Sequence, residues 1–221
     1  MTQLRRATLT TDAHEAIRAM LLDATRFQPG QKISVEELSR ELGVSRSPVW
    51  NAIARLEAEG LVDVSPRQGV FLVGFDADRL RAMYEAREAL EGMAARLAAV
   101  RMPAGELHAL VANLAGQKAC LGRDDRAGYA AAALAFHMLV LRGAQNPLIE
   151  RQLSGIYARS SAMCRGRSDK GTAEVLEINH RDHAALLDAL RQRSGNEAEA
   201  LARKHVRRLM DAALDRSEAA V

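Results

Sequence analysis

The stretch "ISVEELSRELGVSRSPVWNAIARLEAEGLVDVSPRQGVFLVG", residues 33–74, leaves the chain little conformational choice. Ser34 followed three residues later by Glu37 is a capping box, in which hydroxyl and carboxylate satisfy amides that the first helical turn leaves open. Gly43 supplies a left-handed residue to end that helix, and only "GV" precedes Ser45, which is placed to cap the next one. Pro48 falls in the first turn, where a missing amide proton is tolerated. That helix runs to about Glu59 and stops at Gly60. The runs "LVDVS" and "GVFLVG" then flank "PRQ" as a hairpin. Upstream, Ile17, Met20, Leu21 and Leu22 sit at helical spacing within residues 11–26, ended by the turn-like "QPGQ". Three helices, the last two tightly joined, followed by a β-hairpin predict a winged helix-turn-helix.

From Asp76 onward the strand signals end. Helices are predicted at 77–100, 104–121, 125–143, 147–166, 173–192 and 197–217, their starts marked by Asp76 or Asp78, Pro103, Asp124, Asn146-Pro147, Thr172 and Asn196. Connections are short, so successive helices should be antiparallel neighbours in a bundle. Composition agrees: the 221 residues are 48% hydrophobic but only 4% aromatic, which suits a core of packed helices rich in Ala and Leu. The expected fold is mostly α, with a winged helix-turn-helix over residues 1–75 and an antiparallel all-helical bundle over 76–221. Cys120 and Cys164 stand far apart and read as reduced, buried thiols. No run approaches the roughly 18 apolar residues of a membrane span. The first residues, "MTQLRRATLTTDAHEAI", hold no apolar export signal, so a cytoplasmic protein is expected.

Net charge is +3, yet residues 1–75 hold nine basic and nine acidic side chains, so nucleic-acid binding must rest on where charges lie. At about 100° per residue, Val49, Ala52, Ile53 and Leu56 form the buried side of the third helix. Ser47, Asn51, Ala54 and Ala58 form the opposite side, small enough to approach a groove, with Arg46 and Trp50 on the flank. Ser45, Arg46 and Ser47 cluster at the helix N-terminus, where open amides suit phosphate or base edges. The Arg46 fork matches guanine or phosphate. Arg67, Gln68 and Gly69 form the wing tip, placed to reach the minor groove or the backbone. Trp50 can stack on sugar or a thymine methyl, or cover the edge of the core; partial burial is expected. The same residues would also suit a helical hairpin for protein contact, but cap, turn, helix and wing in this order favour DNA.

His183 and His205 each lie eleven residues from Ser194 in the turn of "RQRSGNEAEA". In an antiparallel helix pair, equal distances from the turn bring two side chains to one height. His137 stands in the apolar "LAFHMLV". A lone histidine there is ordinarily a core residue, whereas three converging imidazoles would suit zinc, nickel or a similar ion. His180, one turn before His183, is close enough to act as an outer partner or substitute ligand. His14 and His108 read as surface residues.

The segment "PGQKISVEELSRELGVSRSPVWNAIARLEAEGLVDVSPRQGVFLVGF" resembles the N-terminal domain of GntR-family transcription regulators. The segments "YEAREALEGMAARLAA", "LAFHMLVLRGAQNPLI", "HAALLDAL" and "ARKHVRRL" resemble the helical effector-binding (FCD) domain of the FadR-type branch. The resemblance implies DNA contacts at Ser45, Arg46, Ser47, Gln68 and Gly69, and an effector carboxylate held by Arg87. It also implies a divalent ion (zinc, nickel or manganese) held by His137, His183 and His205 with an aspartate one turn before the first. This chain departs from the pattern in three places. Trp50 stands where an arginine is usual, Glu36 lies where a basic residue is often found, and Ala133 replaces the aspartate. Loss of an anionic ligand should weaken metal binding. Arg87 has a second reading, as half of a surface salt bridge with Glu91 at i+4.

The function expected is a DNA-binding transcription regulator, a repressor by the family's commoner mode, acting as a homodimer on a roughly palindromic operator and modulated by a small organic acid. Two alternatives stay open. One is the same regulator with a metal-free apolar pocket for an acyl ligand. The other is a three-histidine metalloenzyme, against which stand Ala133 in place of the nearest carboxylate and the lack of a Glu adjacent to His183 or His205 in a zincin-like motif. The chain is not read as an enzyme, and no catalytic residue is assigned.

Overall fold

A computed structural model describes residues 2–23, 25–163 and 172–218, with side-chain surroundings given between Asp12 and Asp215 for these segments. The chain forms two compact units. The first holds the residues up to Asp76 together with the last turns of a later helix from Tyr157; the second begins at Ala77.

The first unit contains helix α1 (Thr2–Leu22), strand β1 (Lys32–Ile33), α2 (Val35–Glu41), α3 (Arg46–Ala58) and the hairpin β2 (Val62–Ser65) and β3 (Gly69–Leu72). The sheet order is β1-β3-β2, all antiparallel, with Ile33 opposite Val70 and Val64 opposite the same residue. Ile17 and Leu21 of α1 and Leu38 of α2 meet Val49, Ala52, Ile53 and Leu56 of α3 and the strand residues Val62, Val70 and Leu72 in one buried core. The predicted face of α3 therefore points inward, as do Ile17 and Leu21 of α1, whereas Met20 and Leu22 are only half-buried; burying such a stripe is what stabilises short helices.

Local chemistry sets most boundaries. The Ser34 hydroxyl accepts from the Glu37 amide at 3.2 Å. Gly43 and Gly60 end α2 and α3 at φ +64° and +70°, a region costly for other residues. Ser45 adopts the extended cap conformation but its hydroxyl makes no capping bond, contrary to expectation. α1 starts at Thr2 rather than near residue 11, since no Gly or Pro interrupts that stretch. His14, expected at the surface, is buried: its Nε2 lies 2.7 Å from Glu59 Oε1, and Arg18 Nε lies 3.5 Å from the other carboxylate oxygen. This pairing ties α1 to the end of α3.

The second unit comprises α4 (Ala77–Arg101), α5 (Ala104–Gly122), α6 (Arg126–Gly143), the first part of α7 (Pro147–Met163), α8 (Ala173–Arg191) and α9 (Gly195–Glu218). α4 lies along α9 and also meets α6 and α8; α5 meets α6 and α8; α8 and α9 form a hairpin. Ala94, Ala95, Ala98 and Ala99 are fully buried on α4, and such small side chains let the neighbouring backbones approach closely. Arg193, in the α8–α9 turn at φ +57°, donates from Nη1 to the carbonyls of Ala99, Val100 and Met102 at 3.1–3.4 Å. A cation there complements the negative end of the α4 dipole. Cys120 is a buried free thiol; Cys164 and the last turn expected for α7, residues 164–166, lie outside the described residues.

Candidate functional site

On the first unit, Ser45, Arg46, Ser47, Trp50 and Asn51 all lie on the exposed side of α3. Trp50 remains 46% exposed, so the core claims only part of its ring. Arg67 and Gln68 are exposed in the turn between β2 and β3, which the Gln68 amide closes onto the Ser65 carbonyl at 3.1 Å; Gly69 follows at φ +121°. α2, α3 and the wing enclose a concavity of about 510 Å³ lined by Lys32, Glu36, Arg46, Trp50 and Gly69, among others. Within it Arg46 Nη2 donates to Glu36 Oε1 at 2.5 Å.

In the second unit, α6, α8 and α9 bring His137, His183 and His205 together, with one ligating atom of each within 4.8 Å of the others. Their ring centroids are 4.9, 5.0 and 5.3 Å apart. The equal reach of His183 and His205 from Ser194 works because eleven residues make about three turns at roughly 3.6 residues each, so both side chains return to the inward face. Phe136 stacks on His183 at 4.4 Å and shields it.

Hydrogen bonds set the orientation of each ring. His183 Nδ1 lies 2.8 Å from Gln117 Oε1. Gln117 Nε2 donates to Asn113 Oδ1 at 2.8 Å, and Asn113 Nδ2 donates to the Ala132 carbonyl at 3.0 Å. A carbonyl can only accept, so the chain has one direction, and the network assigns the proton of His183 to Nδ1. His205 Nδ1 donates to Asp182 Oδ2 at 2.9 Å, and the Arg208 guanidinium forms an ion pair with the same oxygen. His137 Nδ1 stands 3.3 Å from Glu91 Oε2. The Nε2 atoms of His183 and His205 are therefore lone pairs, and both are buried without a hydrogen-bond partner. Unpaired buried acceptors are costly. A cation bound between them would answer both, so the residues present fit a divalent ion.

Burial pushes His137 and His183 well below the usual histidine range and His205 down to about 4. Neighbouring imidazoles add to the effect at His137 and His183, and Arg87 adds to it at His137 and His205. Neutral rings are the form that ligates metal.

Arg87 is not half of a surface salt bridge. It and Glu91 are each 6% exposed, joined by Arg87 Nε and Glu91 Oε1 at 2.7 Å, with the guanidinium 4.7 Å from the Tyr84 ring centroid. Glu91 thus spans Arg87 and His137. Sequence reading missed Glu91, Asp182 and Gln117 as partners of the cluster. Only Glu91 left a trace, its i+4 spacing from Arg87. His180 stands apart from the three, with a buried Nδ1 that has no partner; His108 is exposed.

A winged helix-turn-helix followed by an all-helical unit defines a class of DNA-binding proteins. Residues 9–72 match the model for bacterial regulatory proteins of the gntR family, and residues 82–208 match the FCD domain. The chain belongs to the gntR family of bacterial regulatory proteins and carries an FCD domain; it is a DNA-binding transcriptional regulator. It is 38% identical over 128 residues to an uncharacterised HTH-type transcriptional regulator in the TAR-I ttuE-ttuC' intergenic region of Agrobacterium vitis, spanning 57% of this chain and 74% of that one. It is 27% identical over 194 residues to the Nta operon transcriptional regulator of Aminobacter aminovorans, spanning 86% and 87%. The solved structure of McbR/YncC from E. coli shares the fold at a TM-score of 0.78, with 18% identity over 94% of this chain and 97% of that one. No helix among the described residues is long and apolar enough to cross a membrane.

Proposed function

We propose that this regulator binds operator DNA in the cytoplasm as a homodimer, represses by occupying that operator, and releases or retains it according to a small organic acid bound in the helical domain with a divalent metal ion. Residues 1–75 are the DNA-binding domain and 76–221 the effector-binding and dimerisation domain. Ser45, Arg46, Ser47, Trp50 and Asn51 enter the groove, and Arg67, Gln68 and Gly69 touch the backbone or minor groove. His137, His183 and His205 hold the ion (zinc, nickel or manganese), which when bound supplies a Lewis-acid centre for an effector carboxylate. Arg87 receives that carboxylate bidentately, in competition with Glu91. The chain carries out no reaction: the nearest carboxylates, Glu91 and Asp182, are already engaged by arginine and histidine partners.

Dimerisation is supported by an apolar stripe on α4. Ala86, Leu90, Met93, Leu97 and Val100 recur at alternating spacings of four and three, away from the buried face, with Met93 39% and Val100 69% exposed. An effector acts only through different affinity for two arrangements of the dimer, so tight binding alone does not make it an inducer.

The observation that carries the metal reading is the pair of buried, unpaired Nε2 atoms at His183 and His205. The test is the metal content per chain of untagged protein, fresh and after incubation with zinc, nickel or manganese, for wild type and His183→Ala. Near-stoichiometric metal in wild type and little in the variant is expected. A wild type that stays metal-free would overturn metal binding and favour the apolar pocket for an acyl ligand.

A further inference from the structure

We infer that Glu36 is a specificity-determining residue of the DNA-binding unit: it holds Arg46 away from phosphate and commits it to a base edge. The inference rests on the proposed DNA contact of α3. The acidic side chain stands on α2, beside the N-terminus of α3, where it would meet the polyanion. Both Glu36 and Arg46 are 64% exposed, yet their charged ends are bonded across the concavity at 2.5 Å. Lys32, passing close over Gly69 of the wing, and Trp50, one turn beyond Arg46, complete the same concavity.

A carboxylate in a DNA interface is repelled by every phosphate, so Glu36 needs a compensating role to be accommodated there. Two roles follow from the geometry. A guanidinium already paired with a carboxylate is nearly neutral as a unit and gains little from a phosphate. It keeps further donors in a fixed fork, which still match guanine O6 and N7. The carboxylate itself has complementary donors only on the amino groups of cytosine or adenine. Neither Glu36 nor Trp50 carries a positive charge that could neutralise a phosphate, so both shift this surface from charge-driven to base-driven binding.

The test uses full-length wild type, Glu36→Gln, Arg46→Ala and the double variant. Thermal unfolding serves as the check on folding, since both side chains are exposed. Selection from a random duplex library should return, for wild type, a site with one strongly fixed base pair per half-site that Glu36→Gln no longer fixes. On a duplex of unrelated sequence, Glu36→Gln should bind more tightly than wild type, as Arg46 gains a phosphate. Its salt slope should steepen by about 0.9, so that its advantage widens about 3.5-fold when salt falls from about 200 to about 50 mM. The double variant should lose that gain, because the freed guanidinium is its source. Unchanged base preference together with an unchanged slope would overturn the role of Glu36 while leaving DNA binding intact. A wild type that enriches no sequence would overturn the DNA reading of α3 itself, and the assignment with it.

Discussion

Each imidazole of the histidine cluster has its Nδ1 beside a side-chain oxygen, and the two nitrogens left unpaired, on His183 and His205, lie inside the unit. That arrangement has a cost in acid. The folded protein holds His205 at about 4, below its ordinary 6.5, chiefly through burial, and it shifts His137 and His183 the same way. The unfolded chain therefore binds protons that the folded chain refuses. Stability is at its full value above the ordinary histidine range and falls as pH drops from there toward the folded value of His205. The urea midpoint of chelator-treated protein should thus decline steadily between about pH 7 and about pH 5. A flat midpoint over this window would show that the rings are more hydrated than their burial implies.

At the scale of elements, two serines in equivalent positions behave differently. Ser34 caps α2 through its hydroxyl, whereas Ser45 has the cap backbone without the bond. Ser34→Ala should cost about 1 kcal/mol in thermal unfolding. Ser45→Ala should stay within about 0.5 kcal/mol yet weaken DNA binding, since its hydroxyl is left for a partner outside the chain. Equal losses of stability would mean that Ser45 is a structural cap after all. Such caps explain how much was legible beforehand. α2 to α9 begin, and apart from α7 end, within a few residues of where Ser34, Gly43, Gly60, Pro103, Pro147 and Thr172 place them, because capping is written locally. β1 was not legible, for a two-residue strand has no periodicity and exists only as a partner of β3. His14 was misplaced for a related reason: its burial depends on Glu59, forty-five residues away. At the site, the three histidines could be grouped from their spacing about a turn. Gln117, Asp182 and Glu91 belong to the cluster through helix packing, which no local pattern records. Asp182 adjoins His183 in sequence but serves His205, since neighbours on a helix point about 100° apart.

For the whole molecule, the exposed stripe of α4 is the proposed dimer surface. Wild type should sediment at about twice the chain mass of 24.1 kDa. Met93→Glu combined with Val100→Glu should give a monomer of unchanged helicity, because neither side chain contributes to the buried face. A double variant that remains dimeric would move the interface elsewhere. The convergence of helices on one small interior has a separate consequence. His137, His183 and His205 come from three helices, while Glu91 and Gln117 come from two more. A ligand filling that interior would brace all five, and at a concentration a hundredfold above its Kd it would add about 2.7 kcal/mol to the folded state. Inside a cell this converts supply into lifetime. Copies that lacked such a ligand would open more often and be degraded first, so the abundance of the regulator would follow the supply of that ligand.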